Sequence, residues 1–265
     1  MGIVWDGQTG NGRSVIALGM FDGVHIGHQV LLRRAKALAR QQGVPLVVST
    51  FTNHPMALIQ PERCPPMLTT PAERARRMRA QGMDVLQERP FDRSVMDTPP
   101  EEFVADLCRR YHPLFIVVGF NHTFGRKGEG TPLLLTALGE VFGYRAEVVP
   151  KITLGGREVS STVIRELLAR GDTDLARQML GQPYERSVLV GNRQGQETLL
   201  TYLDEGKQEV LPGQYRGLIQ AGESVWPAAL LCGDGGQIRA RLARQFTPGS
   251  EAVIRYLHRF KNVGP

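Results

Sequence analysis

The sequence predicts an α/β fold built on a parallel sheet, followed by a smaller β-rich module. Apolar strand-like runs alternate with helix-like stretches from Ser14 to about Tyr184, the pattern of strands joined by right-handed crossovers. Helix-start chemistry recurs between those runs. After Glu185 the texture changes to short strand candidates punctuated by glycine.

The strands of the first part are expected at VIALGM (15–20), PLVVSTF (45–51), DVLQE (84–88), LFIVVGF (114–120) and YRAEVVP (144–150). Between the first two, Leu31, Ala35 and Leu38 repeat on one face of a helix over roughly Gly27–Gln42, stopped by Gly43 ahead of Pro45. Thr70-Pro71-Ala72-Glu73 and Thr98-Pro99-Pro100-Glu101 each offer a Thr cap, a proline at the first helical position and a glutamate at the third. Arg74, Arg76, Arg77 and Arg79 lack the interleaved aromatics of a stacking surface and read as a solvated helix face. In the second part RSVLV, TLLTYL, QYRGLIQ, VWPAALL and QIRARLA are strand candidates. Val253, Ile254, Leu257 and Phe260, at helical spacing, predict a closing helix. A boundary near Tyr184 divides the chain into domains 1–184 and 185–265.

With 265 residues the chain is long enough for two domains with a sizeable core. It has no apolar run near the roughly 18 residues of a membrane span. The N-terminal stretch MGIVWDGQTG lacks the basic and apolar regions of a secretory leader, and Asp6 stands where a myristoylation pattern wants Ser or Thr. A cytoplasmic protein is expected. Cys64, Cys108 and Cys232 are odd in number and widely spaced, against a disulfide framework and a zinc cluster. The formal charge of +6 suits anionic ligands.

GMFDGVHIGH (19–28) forms the turn from the first strand into the first helix. In open α/β sheets ligands sit beyond the carboxyl ends of the strands, where a helix N-terminus presents free N–H groups and partial positive charge. Gly23 and Gly27 let the backbone approach an anion. His25 and His28, three apart, share one side of the first helical turn, where an imidazole can stabilise charge developing on a phosphate. The bland reading is two solvent-facing histidines, or a weak metal site without a third ligand. Ser160-Ser161-Thr162-Val163-Ile164-Arg165 opens another helix with hydroxyls and a guanidinium, either a phosphate clamp or simple N-capping. Asn121 and Phe124 lie past the fourth strand, with Arg126 and Lys127 adding charge to a turn that a glycine-rich surface loop would equally explain.

These residues resemble a known family. GMFDGVHIGH is similar to the nucleotide-binding turn of the HxGH nucleotidyltransferases, in the form found in bacterial FAD synthetases, whose usual members join an FMN adenylyltransferase module to a riboflavin kinase module. STFTNHP is similar to the family's flavin-side stretch, although Thr52-Asn53 stands where Asp-Pro is common. MLTTPAER, VVGFNHTFGRKGEGT and the segment from VSSTVIRE to GQPY continue the likeness through Tyr184.

The resemblance implies a Rossmann-like nucleotidyltransferase domain that transfers AMP from ATP to FMN, giving FAD and pyrophosphate with Mg²⁺. It assigns catalysis to His25, His28, Ser161, Thr162 and Arg165. Nucleotide contacts go to Gly19, Phe21, Asp22, Gly23, Gly27, Asn121 and Ser160. Phe51, His54, Pro55, Phe124 and Arg126 fall on the flavin side, and no metal ligand is assigned. The partners are small nucleotides, without nucleic acid or membrane, and a homo-oligomer is left open.

The second module keeps a Leu-Pro-Gly-x-Tyr turn but has no Phe-Pro-Thr-Ala-Asn motif, which predicts a reduced, barrel-like module without kinase activity. The alternatives are a bifunctional enzyme that also phosphorylates riboflavin, an adenylyltransferase for another acceptor, a non-catalytic flavin or nucleotide sensor, and RNA binding through the basic helix.

Overall fold

Ser14–Leu18 (β1) is buried along its whole length, which a strand achieves in the interior of a sheet covered on both faces. The computed structural model describes residues 12–233, 236–242 and 244–260; the stretch read for a leader and for lipidation lies outside them. Two compact units form, one from Met1–Pro65 with Pro71–Gly156, the other from Pro66–Thr70 with Arg157–Pro265. Among the described residues no helix is long and apolar enough to cross a membrane.

The first unit carries β1, α1 (Ile26–Gln42), β2 (Leu46–Phe51), α2 (Met56–Ile59), α3 (Pro71–Ala80), β3 (Val85–Arg89), α4 (Arg93–Asp97), α5 (Pro100–Tyr111), β4 (Pro113–Gly119), α6 (Pro132–Phe142), β5 (Arg145–Val149) and β6 (Thr153–Leu154). The parallel sheet runs β3-β2-β1-β4-β5, with Val15 opposite Leu46 and Ile116 opposite Ile16. All five expected strands form. Strand alternation splits β1 between two cores: Val15 and Ala17 pack with Leu31, Leu32, Ala35 and Leu38 of α1, while Ile16 and Leu18 pack with Phe103, Val104 and Leu107 of α5 and Leu135 of α6. Each Val, Leu, Ile or Phe among them contributes roughly 1.5–3 kcal/mol on burial. The stop at Gly43 is as expected: its φ of 65° lets its N–H reach Ala39 O and Arg40 O.

Two local expectations are corrected in this unit. Pro99, not Thr98, is the N-cap of α5 and makes no side-chain cap. The Thr98 hydroxyl instead donates to Ser94 O at 2.6 Å and closes α4. The arginine run is not a uniformly solvated face, because Arg74 and Arg77 are 1% and 5% exposed and spend their guanidinium groups on backbone carbonyls. One α3 face must cover the sheet, and arginine fills it where acceptors wait.

The second unit holds β7 (Arg157–Glu158), α7 (Ser161–Ala169), α8 (Thr173–Leu180) and six strands: β8 (Tyr184–Gln194), β9 (Glu197–Tyr202), β10 (Gly213–Ala221), β11 (Ser224–Cys232), β12 (Gln237–Leu242) and β13 (Glu251–Arg259). These close into an antiparallel barrel ordered β10-β11-β12-β9-β8-β13, which removes exposed strand edges. The expected closing helix is therefore wrong. Residues 251–259 form β13, with Ala252, Ile254 and Tyr256 buried in alternation, because hydrogen bonds to both β8 and β10 complete the barrel. Short apolar runs do not separate the two periods by themselves. Asp204 is buried in the barrel, accepting from Arg186 Nε at 2.6 Å and from Ser187 N at 2.8 Å.

Candidate active site

The turn after β1 is conformationally costly. Phe21, Gly23 and Val24 have φ of 52°, 78° and 43°, and a β-branched residue in the left-handed region is a true outlier. Side chains from neighbouring elements hold it. Met20 O accepts from Thr50 Oγ1 at 3.2 Å and from Arg74 Nη1 at 3.4 Å, Gly23 O from Arg77 Nη1 at 3.0 Å, and Val24 O from Gln29 Nε2 at 2.9 Å. Arg74 Nη2 also donates to Phe51 O at 2.7 Å and Glu88 Oε1 at 3.1 Å. One buried guanidinium thus ties together the carboxyl ends of β1, β2 and β3.

His25 is the N-cap of α1, and its Nδ1 accepts from His28 N at 3.3 Å. That bond brings the two rings into a stack, centroids 3.7 Å apart and 17° between planes. The Phe21 ring stands edge-on to His28 at 5.3 Å. Burial, and then the neighbouring His25, push the His28 pKa well below the usual histidine value. Its Nδ1 is buried without a hydrogen-bond partner. The turn therefore presents neutral imidazole beside a helix N-terminus, a setting that stabilises anionic oxygen.

A cavity of about 380 Å³ opens at the carboxyl ends of β1, β2 and β4, beside the crevice where strand order reverses between β1 and β4. Of the residues expected in the site, Gly19, Phe21, His28, Phe51, Pro55 and Asn121 line it. Asp22 and Gly23 are buried in the turn, and Gly27 lies in the first turn of α1. His54 is turned to backbone, its Nδ1 accepting from Met56 N at 3.1 Å.

Phe124 lies in the core, 5.5 Å from the Phe103 ring centroid. Gly125 follows at φ 72°, where a Cβ would lie 2.8 Å from the Pro100 backbone. Arg126 pairs with Glu129 at 3.8 Å, and its backbone N–H donates to Thr98 O at 2.7 Å. The Phe-Gly pair thus seats its loop against the start of α5.

The remaining expected residues belong to the second unit. The Ser160 hydroxyl caps α7, accepting from Val163 N at 3.3 Å. Ser161 and Thr162 are the first two helical residues, and Arg165 Nε donates to Pro66 O at 2.6 Å.

Sequence reasoning missed Arg89, Phe103 and His122, which all line the cavity. Arg89 ends β3 with its guanidinium carbon 5.7 Å from the Phe51 ring centroid and 5.4 Å from that of Phe103. Desolvation lowers its pKa from the usual arginine value, against the pull of Asp106. His122 Nε2 is buried without a partner, and desolvation takes the ring pKa down to about 4. The available signal was position: all strands of a parallel sheet carry ligand groups at the same end. Asn53, where the flavin-side stretch departs from the family, exchanges two hydrogen bonds with the Phe91 backbone at 2.7 and 3.0 Å and so joins the loops after β2 and β3.

The described residues contain no group of three or more His, Cys, Asp or Glu able to hold a metal ion. The donor set does not make a magnesium site from protein groups alone.

A sequence model described as FAD synthetase matches residues 8–163. A bifunctional riboflavin kinase/FMN adenylyltransferase of Listeria monocytogenes is 36% identical over 186 residues, 68% of this chain and 58% of that protein. The chain thus matches 58% of that relative's length. A protein of the same organism named FAD synthetase is 34% identical over 180 residues, 68% of this chain and 73% of its own. Among solved structures, a Streptococcus pneumoniae protein described as a macrolide-efflux protein superposes with a TM-score of 0.86 over 100% of this chain and 92% of that one; at 24% identity this is a likeness of fold. With the family's pattern matched across more than half of its length, the chain belongs to the FAD synthetase family.

Proposed function

We propose that the chain is an FMN adenylyltransferase that moves AMP from ATP to FMN and releases pyrophosphate. The stacked His25–His28 pair at the N-terminus of α1, beside a cavity at the strand ends, carries this reading. An FMN phosphate is already a nucleophile and needs no general base; it attacks the α-phosphorus in line, so alignment and charge stabilisation supply the rate.

In this reading the neutral His28 imidazole, the His25 ring stacked on it and the free N–H groups of the first turn receive charge spreading onto the phosphate oxygens. Gly19, Phe21, Asp22, Gly23, Gly27, Asn121 and Ser160 border the nucleotide, and Ser161, Thr162 and Arg165 serve its phosphates. Phe51 and Pro55 form the apolar wall of the flavin side, to which the family resemblance also assigns His54, Phe124 and Arg126. Magnesium belongs with the substrate phosphates, a habit that asks few ligands of the protein. We assign the cytoplasm as the compartment, small-molecule nucleotides as partners, and 1–184 and 185–265 as the functional division. The second module is read as lacking kinase activity, on the missing Phe-Pro-Thr-Ala-Asn motif.

The test is incubation of the full chain with Mg²⁺ and ATP, with FMN or riboflavin in separate tubes, followed by chromatography of the flavins. FAD from FMN with riboflavin unchanged is the expected result. Conversion of riboflavin would restore a bifunctional enzyme. Tight binding of FMN and ATP without pyrophosphate would make the protein a sensor.

A further inference from the structure

We infer that Arg89 is the residue that selects the adenylyl acceptor, by reading the carbonyl edge of a planar flavin ring. This rests on the FMN adenylyltransferase reading and goes further, naming the group that recognises the ring and the part of the ring it recognises.

Arg89 supplies the only arginine or lysine side chain lining the cavity among the described residues. The two lining histidines do not share its charge, since burial lowers both of their pKa values. Its place in the sheet decides which part of a ligand it meets. β3 stands two strands away from β1, roughly 10 Å across the sheet. The phosphate chemistry belongs to the turn after β1, so the Arg89 end of the cavity receives whatever extends one ribityl-like chain length from the reacting phosphate. That end is aromatic: Phe51 and Phe103 both face the guanidinium within 6 Å, at 5.7 and 5.4 Å, and Pro55 adds an apolar wall.

Donor chemistry then chooses between the two rings of the reaction. A guanidinium has five N–H donors and no acceptor. The pyrimidine ring of an isoalloxazine sets each carbonyl oxygen beside a ring-nitrogen acceptor, O2 with N1 and O4 with N5, and a planar fork meets either pair with two parallel N–H donors. Adenine has no such acceptor pair: its amino group stands beside N1 and N7, so one arm of the fork would meet a donor. The salt partner, Asp106, lies at 4.0 Å, far enough to orient the fork without consuming it. The aromatic faces restrict the guanidinium plane further, through cation–π attraction and stacking.

The experiment uses flavin fluorescence titrations of the full chain without ATP, alongside steady-state kinetics with FMN and ATP varied in turn. Arg89→Met removes the donors at similar length, and Arg89→Lys keeps the charge but loses the fork. Loss of a charge-assisted hydrogen bond should weaken FMN binding roughly tenfold or more, with the KM for ATP within about twofold of wild type. Lumiflavin, the isoalloxazine ring with a methyl group in place of the ribityl phosphate, should weaken in parallel. Arg89→Lys should recover less than half of the loss.

Three results would overturn the inference: FMN affinity unchanged in Arg89→Met, a rise in the KM for ATP instead, or weaker FMN binding with lumiflavin unaffected, which would make Arg89 a phosphate contact. The binding arm needs no turnover. A wild-type protein that binds flavin through Arg89 yet makes no FAD would sink the proposed reaction and leave this assignment standing; one that makes FAD with Arg89 irrelevant would do the reverse. Melting curves establish folding, and Arg89→Lys carries the test if Arg89→Met does not fold.

Discussion

His25 and His28 are bound twice over, by the His28 N–H donating to His25 Nδ1 at 3.3 Å and by a ring stack at 3.7 Å between centroids. The first bond makes His25 the cap of α1, so one residue both starts the helix and orients the ring that faces the cavity.

The two histidines should therefore fail differently. His28→Ala should lower FAD formation roughly a hundredfold, the usual loss when a donor to developing charge is removed, with the protein still folded. His25→Ala should lower activity as well and also cost about 1 kcal/mol of stability as the cap is lost. Rate measurements beside urea unfolding separate the two. A well-folded His28→Ala enzyme with unchanged turnover would remove the pair from the mechanism.

The pKa of His122 falls to about 4 on burial and that of His28 is lowered well below the ordinary histidine value. The unfolded chain therefore binds more protons than the native one below about pH 6.5. Stability should be complete above that pH and decline as the medium is acidified toward pH 4. Unfolding midpoints at pH 7, 5.5 and 4.5 give the slope, and His122→Phe should flatten it. An equally steep decline in His122→Phe would assign the loss to other groups.

Arg74 is the brace of the site, joining the carbonyls of Met20 and Phe51 to Glu88. Arg74→Met should cost about 3 kcal/mol, since it strands buried acceptors and a carboxylate. The nearby exposed Arg79→Ala should stay within about 0.5 kcal/mol of wild type. Comparable losses in both would mean that burial on α3 does not decide the effect.

Gly125 combines φ 72° with a Cβ position 2.8 Å from the Pro100 backbone. Gly125→Ala should destabilise by about 1–3 kcal/mol through strain at that angle together with the clash. Gly43→Ala, in the left-handed helical region at φ 65°, ψ 27° and with nothing within 4 Å, meets neither the clash nor the glycine-only backbone of Gly125 at ψ −175° and should cost less. Thermal melts of both rank the contributions.

The sequence by itself determined the parallel sheet, because Val15–Leu18 and Ile116–Val118 are apolar without alternation and the stretches between them carry helical periodicity and end signals. It also determined the strand-to-helix turn with its two histidines, since glycine spacing and a helix start are local properties. Tertiary structure alone decided what depends on pairing. Residues 251–259 carry apolar spacing that fits a helix, and only the two neighbouring strands of the barrel make them β13. Arg74 and Arg77 look like surface charge until the carbonyls of Met20, Gly23 and Phe51 supply buried acceptors for them. Arg89 and His122 gain their place by lying at the same end of the sheet as His28, on segments far apart in the chain. Periodicity and capping act over a few residues and can be read along the chain, whereas burial, desolvation and hydrogen-bond partners arise between segments that meet only on folding.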